Sequence, residues 1–396
     1  QILAALLVGI LCGIFTGLIP GIHINLVSLL ILSFSPILLE WFSPIILATT
    51  IISMSVTHTF LDFIPSVFLG APDSDTALSV LPGHKLLLEG KAFEAVKLTV
   101  IGSLGCLILS IAIIPLLLPV VGVVYEFLKK FIAYILIFVV VYMILRDKNK
   151  KWNFLVFILS GFMGLIVLGM NTLENPLFPM LSGLFGLSML ITSLMDDVNI
   201  PNQKIEETIK LDKKEIAKSL FAGTIAGTLT SFFPGLGPAQ GAVIANQLFK
   251  DISDFGFMII VGGINTVNFV LSLVTLLVID KARNGAIVVV SQIIDLFSNN
   301  HLVVFACVAL IAGGVATFLA FKITKIFTKI IVKVNYKMLV LSIIVLIIFM
   351  TFYFSGFVGF LILATSTAIG IIPGEMGVAR NHAMGCLLLP VILYLI

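Results

Sequence analysis

The side chains able to do chemistry in this sequence are the polar ones set inside long apolar runs. Such groups are costly at membrane depth and usually line a pathway or are paired there. One cluster is ionisable: Thr57, His58, Thr59 and Asp62, within the apolar run 43–72. His58 and Asp62 are four residues apart and share a helix face. With Thr59 and backbone carbonyls, Asp62 offers oxygen ligands that suit a hard cation such as sodium. The His58/Asp62 pair can instead carry a proton, or simply lock two helices together.

Two further stretches carry a different chemistry. Thr16-Gly17-Leu18-Ile19-Pro20-Gly21-Ile22-His23-Ile24-Asn25 and Ser231-Phe232-Phe233-Pro234-Gly235-Leu236-Gly237-Pro238-Ala239-Gln240 each put Pro-Gly in mid-run. Pro removes a donor and clashes with the preceding turn, while Gly tolerates non-helical dihedrals. Each run is therefore expected to break at mid-depth, leaving bare N–H groups at the start of a new half-helix, where an anion is favoured. Lipid tolerates such a break only under cover of protein or a water-filled cavity. His23 and Asn25 follow the first break and Gln240 the second; capping the half-helix is their alternative role. Asn265, Thr266 and Asn268 sit in the middle of the run 254–279. Arg380 and Asn381 open the last run, placed to neutralise a second carboxylate or to snorkel to the interface. A polar turn, Asp73-Ser74-Asp75-Thr76, follows the run that carries Asp62.

The elements that must position these residues are membrane helices. The 396 residues are 60% hydrophobic and 11% charged, with a mean hydropathy of +1.21. Soluble domains average about 25% charged residues, so the composition is that of a multi-pass protein of the cell membrane. A net charge of +3 gives no case for nucleic acid. Cys12, Cys106, Cys307 and Cys386 lie in apolar runs without metal-ligand spacing and read as small buried hydrophobes. The first apolar run ends in Pro-Gly rather than a small-residue cleavage site, and reads as structure.

The landmarks recur in order. A broken pair over 2–40 is followed by spans at 43–72, 97–128, 131–146, 152–170 and 177–195. Pro82 to Ala92 reads as a short amphipathic helix at the interface, and Lys204–Lys214 as a short surface helix. A second broken pair over 216–250 is followed by spans at 254–279, 301–322, 337–354, 356–371 and 381–396, with a polar turn at 280–285. Gly13 and Gly17, then Gly223 and Gly227, are four apart, a spacing that permits close helix packing. Ser160-Gly161-Phe162-Met163-Gly164 recurs as Ser355-Gly356-Phe357-Val358-Gly359. The expected architecture is therefore all-α, with a membrane repeat over 1–195, a cytoplasmic linker over 196–215 and a second repeat over 216–396. Each repeat has a Pro-Gly-broken helix pair and about five spans, an odd number that inverts the second repeat. Basic residues at 146–151 and 322–337 fall on one side, which the positive-inside rule makes cytoplasmic. Broken segments at corresponding places in two halves are the sequence pointer to a transporter's binding site.

In its motifs the chain resembles the large membrane subunit of the tripartite tricarboxylate transporter family, the TctA type, in its stand-alone archaeal form. The resemblance spans nearly the whole chain and rests on Gly17-Leu18-Ile19-Pro20-Gly21, Gly70-Ala71-Pro72 through Thr76-Ala77, Gly83-His84-Lys85, and Gly90-Lys91-Ala92. Pro234-Gly235-Leu236-Gly237 and Met384-Gly385-Cys386-Leu387-Leu388 with Pro390 add to it. The chain departs at Val278–Arg283, where the family's second half usually carries a Pro-Gly turn. The resemblance implies an ion-driven carboxylate importer, in bacteria fed by a binding protein and a small membrane subunit.

The leading expectation is then a secondary transporter of a small organic anion, with no cofactor beyond sodium or a proton. The anion would sit between the tips near Gly21 and Gly235, with Asn25, Gln240, Asn265 and Asn268 supplying hydrogen bonds. The alternative on the same fold is a translocase of a polyprenyl-phosphate lipid carrier, since a phosphate suits a helix N-terminus equally. An intramembrane enzyme fits less well, because no Ser or Cys has nucleophile spacing and no His-Glu-x-x-His motif occurs. The partners to consider are the bilayer, the anion or lipid phosphate, the binding protein and small subunit, and a second copy of the chain.

Overall fold

The computed structural model describes residues 1–20, 24–70, 76–128, 130–146, 149–170, 173, 176–195, 201–205, 211–233, 236–249, 252–282, 284–332 and 336–396. Among them are helices and no strands. In the first half these are α1 (Ile2–Leu18), α2 (Ile24–Ser33), α3 (Ser35–Leu38), α4 (Pro44–Leu61), α5 (Phe63–Leu69) and α6 (Val80–Leu88). Then come α7 (Ala92–Leu128), α8 (Ile132–Arg146), α9 (Lys150–Leu168), α10 (Leu177–Leu181), a π-helical stretch (Ser182–Leu187) and α11 (Ser188–Met195). The second half has α12 (Lys213–Phe232), α13 (Pro238–Leu248), α14 (Asp254–Ile279), α15 (Gly285–Ile293), α16 (Asn299–Ile331), α17 (Tyr336–Met376) and α18 (Gly385–Leu395). Six of the described helical stretches are long and apolar enough to cross a membrane.

Local chemistry sets the boundaries. Pro44 and Pro238 open α4 and α13, where a missing N–H costs nothing. Ser253 and Asn284 cap α14 and α15 by accepting from Gly256 N and Ile287 N. Gly70 ends α5 in the left-handed conformation. α17 folds back on itself at Gly356 (φ 58°), so that Phe352 and Phe360 lie 5.5 Å apart. The two spans expected at 337–354 and 356–371 are thus the two arms of α17, on either side of the reversal at Gly356.

α4 and α14 are sheathed by the rest of the protein, whereas the other membrane-length helices keep open apolar faces. Their packing partners correspond. α1 lies along α4 and α12 along α14; α16 lies along α4 and α7 along α14. Glycines make these contacts close: a Cβ at Gly13 would lie 2.6 Å from Met54 O, and one at Gly223 3.2 Å from Ile260 O. The α9–α18 contact is mirrored by that of the π-helical stretch with α17. There Ser160 and Gly164 pack on Gly385 and Cys386, while Ser366 and Gly370 pack on Gly183 and Leu184. Ser160–Gly164 and 366–370 thus make like contacts, each with a Gly and the residue that follows it.

The two expected short helices fare differently. α6 has one covered face, where His84 and Leu87 are buried and His84 Nδ1 is 3.2 Å from Val67 O, and one open face, where Lys85 is exposed. Residues 201–205 are not helical; Gln203 accepts from Ala92 N and donates to Leu87 O, tying this segment to the α6–α7 turn. Residues 206–210 lie outside the described residues, and helix resumes at Lys213. α15 is an element that sequence reasoning passed over.

Candidate functional site

Two polar centres stand inside this apolar scaffold. The first lies where α4 and α14 cross. Thr59 meets Thr266 and Asp62 meets Asn265, while Lys85 reaches Asp254 and Asn25 abuts Gly285. Asp62 at the end of α4 thus meets the middle of α14, and the two helices pass in opposite directions.

Asp62 sits at the joint between α4 and α5, buried. Asn265 Nδ2 donates to its Oδ2 at 2.7 Å, and His58 Nε2 is 3.8 Å from the same oxygen. His58 Nδ1 in turn lies 3.2 Å from Thr16 Oγ1 on α1. The hydroxyls of Thr59 and Thr266 are 3.1 Å apart. Thr57 faces Gly13 of α1, and its Oγ1 has no partner among the described residues. One connected polar line therefore runs from α1, just before Pro20, through α4 to α14. A carboxylate so enclosed is kept only by such donors, because an unpaired buried charge is expensive.

The second centre is a cavity of about 420 Å³ bounded by α13, residues 77–85, the start of α14, Phe185 and residues 379–381. That volume is in the range of small-molecule pockets. Arg380 lines it; Nη1 donates to Ser188 Oγ at 3.3 Å, and the guanidinium meets no carboxylate among the described residues. Asn381 Oδ1 is buried without a partner among them. At the rim Lys85 Nζ donates to Asp254 Oδ2 at 3.1 Å, both side chains being exposed. That hydrogen bond raises the Lys85 pKa above its ordinary value. The π-helical stretch, a common local device at functional sites, aims Phe185 at the cavity and precedes Ser188.

The remaining sequence-predicted residues fall as follows. Gly237 N donates to Gln240 Oε1 at 2.9 Å, so Gln240 caps α13. Asn25 lies against Gly285 at the start of α15. Asn268 is buried on α14, and Asn265 belongs to the Asp62 centre rather than to the cavity. Ser66 Oγ and Thr76 Oγ1 are 2.7 Å apart, which anchors the end of the polar turn. Pro20 follows α1 and is half-buried. Gly21, His23, Asp73, Ser74, Asp75, Pro234 and Gly235 lie outside the described residues. Thr16, Ser188 and the Lys85–Asp254 pair went unread in sequence. Thr16 alone had a local signal, as the last hydroxyl before a Pro-Gly break.

The profile of a family described as tripartite tricarboxylate transporter TctA matches residues 3–385. An uncharacterized protein of Methanocaldococcus jannaschii is 32% identical over 356 residues, which cover 87% of each chain. No solved structure matches.

Proposed function

The chain belongs to the tripartite tricarboxylate transporter TctA family, and on that premise we propose an ion-coupled secondary transporter of a small di- or tricarboxylate, received at Arg380. The family is one of integral membrane transporters, not enzymes. Its tripartite systems work with a binding protein and a small membrane subunit, which this chain would share. The observation that carries the reading is the guanidinium of Arg380, lining a 420 Å³ cavity without a carboxylate partner among the described residues. A planar fork of donors matches a carboxylate in geometry and charge.

In this mechanism one carboxylate docks on Arg380 and Asn381, and another reaches toward the N–H groups that follow the Pro-Gly breaks. The coupling ion acts at Asp62. A proton would use the His58–Asp62 pair; sodium would use Asp62 with the Thr59 and Thr266 hydroxyls. The two nitrogens beside Oδ2 favour the proton, since a hard cation seeks oxygen. Either ion changes the charge at the middle of the line Thr16–His58–Asp62–Asn265, and so biases how α1 sits against α14. Two observations support an inverted repeat and alternating access: the opposed directions of α4 and α14, and the matched packing partners of the halves.

The test is uptake of labelled citrate or succinate by proteoliposomes, driven separately by a sodium gradient and a pH gradient. Uptake driven by either and lost in Arg380→Ala is the expected result. Uptake that ignores both gradients, or survives loss of Arg380, would overturn the reading.

A further inference from the structure

We propose that the groove between α7 and α12 is a binding site for an anionic phospholipid, its acyl chain in the groove and its phosphate on Lys281. The inference does not depend on what is transported.

α7 and α12 touch closely at Gly105 and Cys106. Cys106 Sγ donates to Leu220 O at 3.3 Å, and a Cβ on Gly105 would lie 2.7 Å from the Leu220 side chain. Beyond that level α7 carries Pro115 and Pro119. Each removes a helical hydrogen bond and pushes the preceding turn aside, the usual cause of a kink. A groove of about 400 Å³ opens there. Leu109, Leu117 and Val124 line it from α7, and Ile225, Leu229 and Phe232 from α12.

The lining is apolar even where the sequence has hydroxyls. Thr224 Oγ1 donates to Leu220 O at 2.8 Å and Thr228 Oγ1 to Thr224 O at 2.6 Å, so both hydroxyl protons are used within α12. Water entering the groove would find little to bond, and an empty void of this size would forfeit packing energy. Leu109, Val120 and Phe221 are exposed, so the groove is open to the bilayer along its side. At 1.5 Å per residue, 109–124 extends about 22 Å, within the roughly 30 Å hydrocarbon core.

The groove ends in a polar stop. Tyr125 stacks on Phe233 with centroids 6.4 Å apart. Lys281 Nζ lies 3.5 Å from Tyr125 Oη and 5.5 Å over its ring. Lys281 meets no carboxylate among the described residues, so its charge is open to an anion at headgroup level. An apolar slot closed by an amphipathic ring and a lysine matches one lipid tail with an anionic head.

The full chain in detergent would be titrated with phosphatidylglycerol and, separately, phosphatidylcholine, reading melting temperature and retained lipid by native mass spectrometry. Phosphatidylglycerol should stabilise more strongly. Lys281→Gln should weaken its binding roughly fivefold and leave phosphatidylcholine unchanged. Equal effects of the two lipids on the wild-type chain, or no loss in Lys281→Gln, would overturn the proposal. Thr228→Phe, which fills the groove, should release the lipid. Should that variant not fold, a phosphatidylglycerol with a photoreactive acyl chain decides on the wild-type chain. Adducts within 109–124 or 221–233 support the site, and adducts confined elsewhere overturn it.

Discussion

Arg380 Nη1 donates to Ser188 Oγ at 3.3 Å across the cavity wall, joining the turn before α18 to the helix after the π-helical stretch. The contact orients the guanidinium without neutralising it. Arg380→Ala should weaken carboxylate binding by about 10–100-fold, the worth of a charge-assisted hydrogen bond of roughly 1.5–3 kcal/mol. Arg380→Lys should recover only part, because an ammonium lacks the planar fork. Equilibrium binding of labelled citrate to purified protein measures both.

Asp62→Asn should abolish ion dependence of uptake and leave a folded protein, since the amide preserves shape while losing the charge. Gel filtration in detergent checks folding, and gradient-driven uptake checks coupling. Asn265→Ala should cost about 1–3 kcal/mol of stability, the penalty of removing one partner from a buried acceptor. A melting curve reads it. Unchanged stability would show that Asp62 does not depend on that donor.

Gln240→Ala should lower stability by about 1 kcal/mol, the net worth of the bond to Gly237 N. It should alter carboxylate affinity far less than Arg380→Ala does. Equal affinity losses in the two variants would return Gln240 to the substrate.

The glycines separate packing from mere presence. A Cβ at Gly164 would run into the Cys386 carbonyl, and one at Gly370 into that of Leu184. Gly164→Val and Gly370→Val should each destabilise by about 1–3 kcal/mol or more. Gly314 has nothing within 4 Å, so Gly314→Ala should be neutral or stabilising by up to about 1 kcal/mol. Thermal unfolding in detergent compares the three.

What the sequence makes legible is local. Pro20, Pro234 and Asp62 announce themselves because each violates the apolar run around it, and the Gly13/Gly17 spacing predicts the close α1–α4 contact that is found. Pairings between distant residues have no local signature. Thr16 and His58 are 42 residues apart and Ser188 and Arg380 are 192 apart. The same holds for packing: 355–359 matches Ser160–Gly164 in letters, whereas 366–370 matches it in what it touches. α15 was passed over because its nine residues are too few to mark a span. α6 looks amphipathic, but the partners that cover its apolar face, α5 and α7, cannot be read from its own residues.

The bond between Asn265 and Asp62 joins residues 203 apart in the chain. At about 5–20 residues per second, the ribosome needs roughly 10–40 s after making Asp62 before it makes Asn265. Throughout that interval the first half holds a carboxylate that lacks this one donor. Biogenesis thus has an obligatory order, in which α4 waits beside its neighbours or the insertion machinery until α14 arrives. A first half made alone would hold that carboxylate without the Asn265 donor, one bond short of its final arrangement.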